Sequence, residues 1–133
     1  MSSRASRALV VVTSVGTEEE AIRISRELVG RRHAACVNIV SSVKSIYRWR
    51  GKICSDSEYL LVIKSLASEF ELVAAAIREL SSYELPEILS FAVQKGDADF
   101  LAWIEGALDK TGPPPADDED EDEVYVDLDD TLY

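Results

Sequence analysis

Apolar positions along the chain change period several times, and each change marks an element. "ALVVVTS" (8–14) is a short apolar run ending in small polar residues, the pattern of a buried strand. "EEEAIRISRELVGRR" then places Ala21, Ile24 and Leu28 at helical spacing. Thr17, with Glu20 three residues later, reads as a capping box, and both residues are assigned to capping. Residues 34–49, "AACVNIVSSVKSIYRW", are β-branched and aromatic and predict a second strand. "RGK" (50–52) turns the chain, and "ICSDSEYLLVIKS" (53–65) predicts the return strand. Residues 66–83 set Phe70, Val73, Ala74, Ile77 and Leu80 on one helical stripe. Residues 85–96 read as a strand opened by Pro86. Residues 97–110 read as a helix that starts at Asp97 and buries Phe100, Leu101, Trp103, Ile104 and Leu108, at least in part.

The order β-α-β-β-α-β-α gives two βαβ halves around a central hairpin. It predicts an α+β, ferredoxin-like sheet with helices on one face. Many unrelated functions use that fold, so function has to come from particular residues.

The hairpin is the first such place. A 14-residue strand over 36–49 spans ~46 Å at ~3.3 Å per residue. A domain of about 110 residues is only ~35 Å across, from a radius of gyration near ~13 Å. The far end should therefore project, unless "SS" at 41–42 marks a bulge or bend. That end carries Ile46, Tyr47, Trp49 and Ile53, and a cluster of large apolar side chains is seldom left free in water. The expectation is an oligomer in which a neighbouring copy completes each hairpin. The alternation of Tyr47 and Trp49 with Arg48 and Arg50 also suits nucleic acid, but the aromatic spacing of an RNA-recognition strand is missing. No nucleic-acid partner is expected.

Charge supports that. The chain has 133 residues and a formal net charge of −11, and ten of its 25 acids lie in 111–133, a stretch without Lys or Arg. The rest holds 15 acids against all 14 bases, so the body is close to neutral. Two units are expected: a domain over 1–110 and an acidic C-terminal tail over 111–133, self-repelling and without a core, whose partner is unknown. Alternating Val124, Val126 and Leu128 leave open a short strand that pairs with an edge. No apolar run is long enough for a membrane span, and "MSSRASRALVVV" is not read as a signal or transit sequence. Cys36 and Cys54 lie too far apart along the hairpin to bridge. A reducing, cytoplasmic setting is expected.

Several stretches taken in order carry a family resemblance. "AACVNIVSSVKSIYRWRGKICSDSEYLLVIKS", "YELPEI" and "GDADFLAWI" closely resemble the CutA divalent-ion tolerance proteins over about residues 8–108. The resemblance implies a homotrimer of ferredoxin-like subunits, PII-like in assembly, with hairpins contributing to shared sheets. It implies a role in tolerance to copper and other divalent cations, and it lends no catalytic reaction. The family's proposed copper pattern has a cysteine and a histidine where this chain has Thr13 and Ser81, neither a good copper ligand.

Other candidate chemistry is sparse. Tyr83, Glu84 and Glu87 flank the rigid Pro86 and could form an oxygen-rich patch for a weakly bound divalent cation. No other cofactor is expected. The alternative is a PII-like module that binds a small anion or metabolite between subunits, with Lys44, Arg48, Arg50 or Lys64 supplying charge. His33, beside Arg31 and Arg32, reads as a helix-end residue. Neither a nucleophile–base pair nor a phosphate loop is visible, so no enzyme is expected.

Overall fold

The structure is a computed structural model that describes residues 7–111. The acidic tail from residue 112 onward, with its candidate strand at 124–128, lies outside them. The elements are β1 (Ala8–Val15), α1 (Glu18–Gly30), β2 (Cys36–Trp49), β3 (Lys52–Leu66), α2 (Phe70–Leu80), β4 (Leu89–Ala92) and α3 (Ala98–Ala107). The sheet order is β2-β3-β1-β4, and every neighbouring pair is antiparallel. This is the ferredoxin-like arrangement that the element order predicts.

Alternation along the strands divides the sheet into two faces. Val11, Val15, Leu61 and Ile63 point to one side and form the main core with Ala21, Ile24 and Leu28 of α1 and Val73, Ala76 and Ile77 of α2. On the other side the register sets Val12 against Val62 and Leu89, and Val10 against Lys64 and Phe91. Leu89 and Phe91 stay 53% and 56% exposed there. A second small core packs Ile104 of α3, and Leu108 just past its end, on Leu66. Phe100 and Trp103, expected to be at least partly covered, are about half exposed and stack on each other at 5.5 Å between centroids.

The long hairpin forms as the residue pattern predicts. Arg50 and Gly51 both take positive φ, 51° and 81°, which is the two-residue turn that suits the twist of paired strands. The register shifts between Val40 and Val43, with Ser42 at φ 62°, so the "SS" pair is indeed a bulge. Past the Val15–Tyr59 pairing, β2 and β3 extend beyond the end of β1 and, among the described residues, pair only with each other.

Two expectations need correction. β4 covers only Leu89–Ala92, not 85–96, and pairs with Leu9–Val12 of β1. Pro86 has no N–H to give a ladder, and the chain before it is fastened elsewhere. Glu20 explains part of that fastening. Thr17 Oγ1 does accept the Glu20 N–H at 3.1 Å, but the Glu20 carboxylate does not return to Thr17. It accepts from the Ser82 N–H at 2.5 Å and the Ser82 hydroxyl at 3.1 Å. A nearly buried acid on α1 thus ties down the segment after α2.

Candidate functional site

Where the hairpin leaves the body, the segment 81–88 folds against it and leaves an open cleft of about 650 Å³. Ser45, Tyr47 and Trp49 of β2 and Glu58 of β3 form one side, and Tyr83, Glu84, Leu85 and Glu87 the other. The bulge matters here, because it resets alternation in β2. Beyond it Val43 pairs with Glu58 and Tyr47 with Cys54, which puts Ser45, Tyr47 and Trp49 on the same side as Glu58.

Glu58 is the centre of this arrangement. It is 8% exposed, and its Oε2 accepts the Tyr83 hydroxyl at 2.5 Å. Burial and that hydrogen bond push the Tyr83 phenol well above its ordinary value, so it stays protonated and donates. Tyr83 also lies over the turn after β1: a Cβ at Gly16 would stand 3.3 Å from its oxygen. Across the hairpin the Tyr47 hydroxyl donates to Asp56, which pushes Tyr47 up to about 12. Glu87 is held more loosely, with the Ser14 hydroxyl 3.5 Å from Oε1. Glu84 is largely exposed and pairs with Arg50 at 3.0 Å, and the Arg50 guanidinium also sits 5.3 Å over the Trp49 ring.

The structure brings Tyr83, Glu84 and Glu87 together with Ile46, Tyr47 and Trp49 around one cleft. Ile53 is not in the lining and stands 71% exposed, as does Ile46. The four candidate cations do not converge within one chain. Lys44 borders a smaller hollow with Ser57 and Tyr59. Arg48 pairs in register with Ile53, Arg50 is at the turn, and Lys64 donates to Asn38. Among the described residues, no group of three His, Cys, Asp or Glu side chains could hold a metal ion. Thr13 is fully buried on the helix side, and the Ser81 hydroxyl accepts the Tyr83 N–H at 3.1 Å. His33 faces Glu69 at 3.2 Å, and Lys110 grips Glu69 with 2.8 Å contacts to both oxygens. Cys36 and Cys54 are both free.

Reasoning from the residues alone missed Glu58. A signal existed: it shares alternation with Leu60 and Val62, so an acid on that face stands directly beyond an apolar stripe. Only the bulge decides which β2 side chains join it.

A ferredoxin-like subunit with an overlong hairpin and an acid-lined cleft at its root defines a class of small α+β proteins built like PII subunits. Within that class the chain belongs to the CutA1 divalent ion tolerance protein family, whose model matches residues 9–107. It is 39% identical over 95 residues to the divalent-cation tolerance protein CutA of Thermus thermophilus, covering 71% of this chain and 92% of that one. It is 33% identical to the chloroplastic protein CutA of Arabidopsis thaliana, covering 80% of this chain but only 58% of the relative. Among solved structures, CutA of Xylella fastidiosa superposes with a TM-score of 0.76 at 34% identity, over 78% of this chain and 100% of that one.

Proposed function

We propose that the chain is a homotrimeric, non-enzymatic protein of divalent-cation tolerance, copper included. The observation that carries the assembly is the half-exposed sheet face. Leu89 and Phe91, with Val10, Val12 and Val62 beside them, form an apolar surface opposite the helices, and the hairpin projects past the body with Ile46 and Ile53 in the open. Both surfaces need covering, and copies of the same chain related by symmetry cover them without any other partner. Tyr47 and Trp49 then lie close to a neighbouring hairpin. Names such as that of the Thermus thermophilus relative supply the role in divalent-cation tolerance. A reducing compartment suits the two free thiols, and the cytoplasm is our reading of the setting.

Within the described residues, any cation held by the body is held weakly at the acid-lined cleft, with Glu84 and Glu87 at its rim. The lining acids favour a cation over the small-anion alternative. Light scattering on the purified chain should give about three times the 14.7 kDa chain mass. A monomer at micromolar concentration would overturn the assembly.

A further inference from the structure

We propose that the cleft between the hairpin root and segment 81–88 binds a small organic cation: a primary amine or guanidinium carried on an apolar or aromatic body. The proposal deepens the functional reading, because it rests on that cleft being where the body holds a cation.

Three observations define the ligand. The first is Glu58. It is more than nine-tenths buried, Tyr83 occupies only Oε2, and Oε1 receives no hydrogen bond among the described residues. Glu58 lines the cleft and its Oε1 is not sealed off from it, so an N–H donor carrying positive charge is its strongest partner there. Among the described residues no Lys or Arg lies in the lining; Arg50 reaches only its rim, where it pairs with Glu84 and covers the Trp49 ring.

The second observation is the aromatic wall. Tyr47, Trp49 and Tyr83 surround the space next to the acid, and ring faces attract a desolvated cation. Ile46 and Leu85 add apolar surface for the rest of the molecule. The third is size and ligand geometry. A space of about 650 Å³ suits a small organic molecule and is far larger than a metal ion needs. A metal is further disfavoured because no suitable group of three ligands forms among the described residues. An anion would meet Glu58 and Glu87, and the Arg50 guanidinium at the rim is already paired with Glu84.

The full chain, labelled with ¹⁵N, should be titrated with phenethylamine while the two indole N–H signals are followed; phenylpropionate is the anionic control, and Mn²⁺ is titrated separately. The chain has two tryptophans, and Trp103 lies on α3 outside the cleft, so it is an internal reference. The expected result is a saturable shift of the Trp49 signal with the amine alone. Glu58→Gln should weaken it at least tenfold, while Glu119→Gln in the tail leaves it unchanged. Should Glu58→Gln fail to fold, Trp49→Phe read by calorimetry keeps the test open, with weaker amine binding expected. Equal, unsaturating shifts of both indoles, or equal response to the carboxylate, would overturn the proposal. Selective broadening of Trp49 by low Mn²⁺ with no amine effect would keep the cleft as a metal-ion site and sink the organic ligand. No response to either would sink both, as when a neighbouring copy fills the cleft.

Discussion

Tyr83 donates its hydroxyl to Glu58 Oε2 at 2.5 Å, and this one bond joins the hairpin root to the segment after α2. The two residues are 25 positions apart, one on β3 and the other past the end of α2. Tyr83→Phe removes the donor and leaves a nearly buried carboxylate without it. The expected cost is ~1–3 kcal/mol, since the lost bond is to a charged group. Denaturant unfolding of both proteins, compared at equal chain concentration, measures it. No change would mean that the contact is not formed in solution.

The same phenol makes stability depend on alkaline pH. Hydrogen bonding to Asp56 raises Tyr47 to about 12, and burial together with Glu58 raises Tyr83. Unfolded tyrosine titrates near ~10, so the folded state holds both protons more tightly than the unfolded state does. The stabilisation is complete below pH ~10 and is lost as the pH rises through the folded values. Melting temperature should therefore fall more steeply between pH ~10 and ~12 in the natural chain than in a Tyr47→Phe, Tyr83→Phe variant. Parallel curves would show that neither phenol is tied to a carboxylate.

Glu20 makes a second, independent tie. Its carboxylate accepts from both the backbone N–H and the hydroxyl of Ser82. Glu20→Ala should cost ~1.5–3 kcal/mol by leaving the Ser82 N–H without its acceptor, and Glu20→Gln should cost less because one oxygen remains. If Glu20 served only to cap α1, Gln and Ala would differ little and amide exchange at 81–88 would not change. Faster exchange confined to that segment is the expected signature.

How much of this could be read from residues alone depended on how local the cause was. The period of apolar residues placed β1, α1 and α2 because burial on one face dictates that period. The turn at Arg50–Gly51 and the bulge at Ser41–Ser42 were legible from small residues at strand interruptions. β4 was not. "LPEILSFAVQ" is apolar enough for a longer strand, but Pro86 and the distant Glu20–Ser82 tie keep residues before Leu89 out of the ladder although β1 runs on to Val15. Glu20 illustrates the same limit. A local capping rule competed with an acceptor needed 62 positions away, and the distant partner won. The cleft was half visible: Tyr83, Glu84 and Glu87 cluster in sequence, whereas Glu58 reaches them only through the fold.

The exposed sheet face gives a sharper test of assembly than molar mass alone. Phe91 and Leu89 lie on the edge strand, away from the main core, so Phe91→Asp should leave the subunit folded. A charge there opposes burial against another copy. The variant should elute and scatter as a smaller species while keeping its far-UV circular dichroism. Trp49→Ala should weaken assembly or lower the melting temperature as well, because truncating an aromatic that becomes buried typically costs ~3–5 kcal/mol. Unaltered assembly in both variants would mean that the chains meet elsewhere.

The last prediction concerns copper. Thr13 and Ser81 occupy the positions where the family pattern has cysteine and histidine, and the structure gives both other surroundings. Thr13 is fully buried beneath the helices, and the Ser81 hydroxyl is engaged by the Tyr83 N–H. Hydroxyls are poor copper ligands beside thiolate or imidazole. A chain ending at Thr111 should keep its fold, because both hydrophobic clusters lie within residues 11–108. It should bind Cu²⁺ no better than a generic surface. The full chain should bind more, and only by charge, since ten acids within 111–133 attract any dication. That extra binding should disappear at high salt, as screened electrostatics requires. Calorimetry on both chains decides the matter. A submicromolar Cu²⁺ site in the shortened chain, lost on Cys36→Ala or His33→Ala, would show that this protein has rebuilt a copper site from other ligands. His33 would then have to exchange its Glu69 contact for the metal, and the Lys110–Glu69 pair beside it would be the first place to look for the rearrangement.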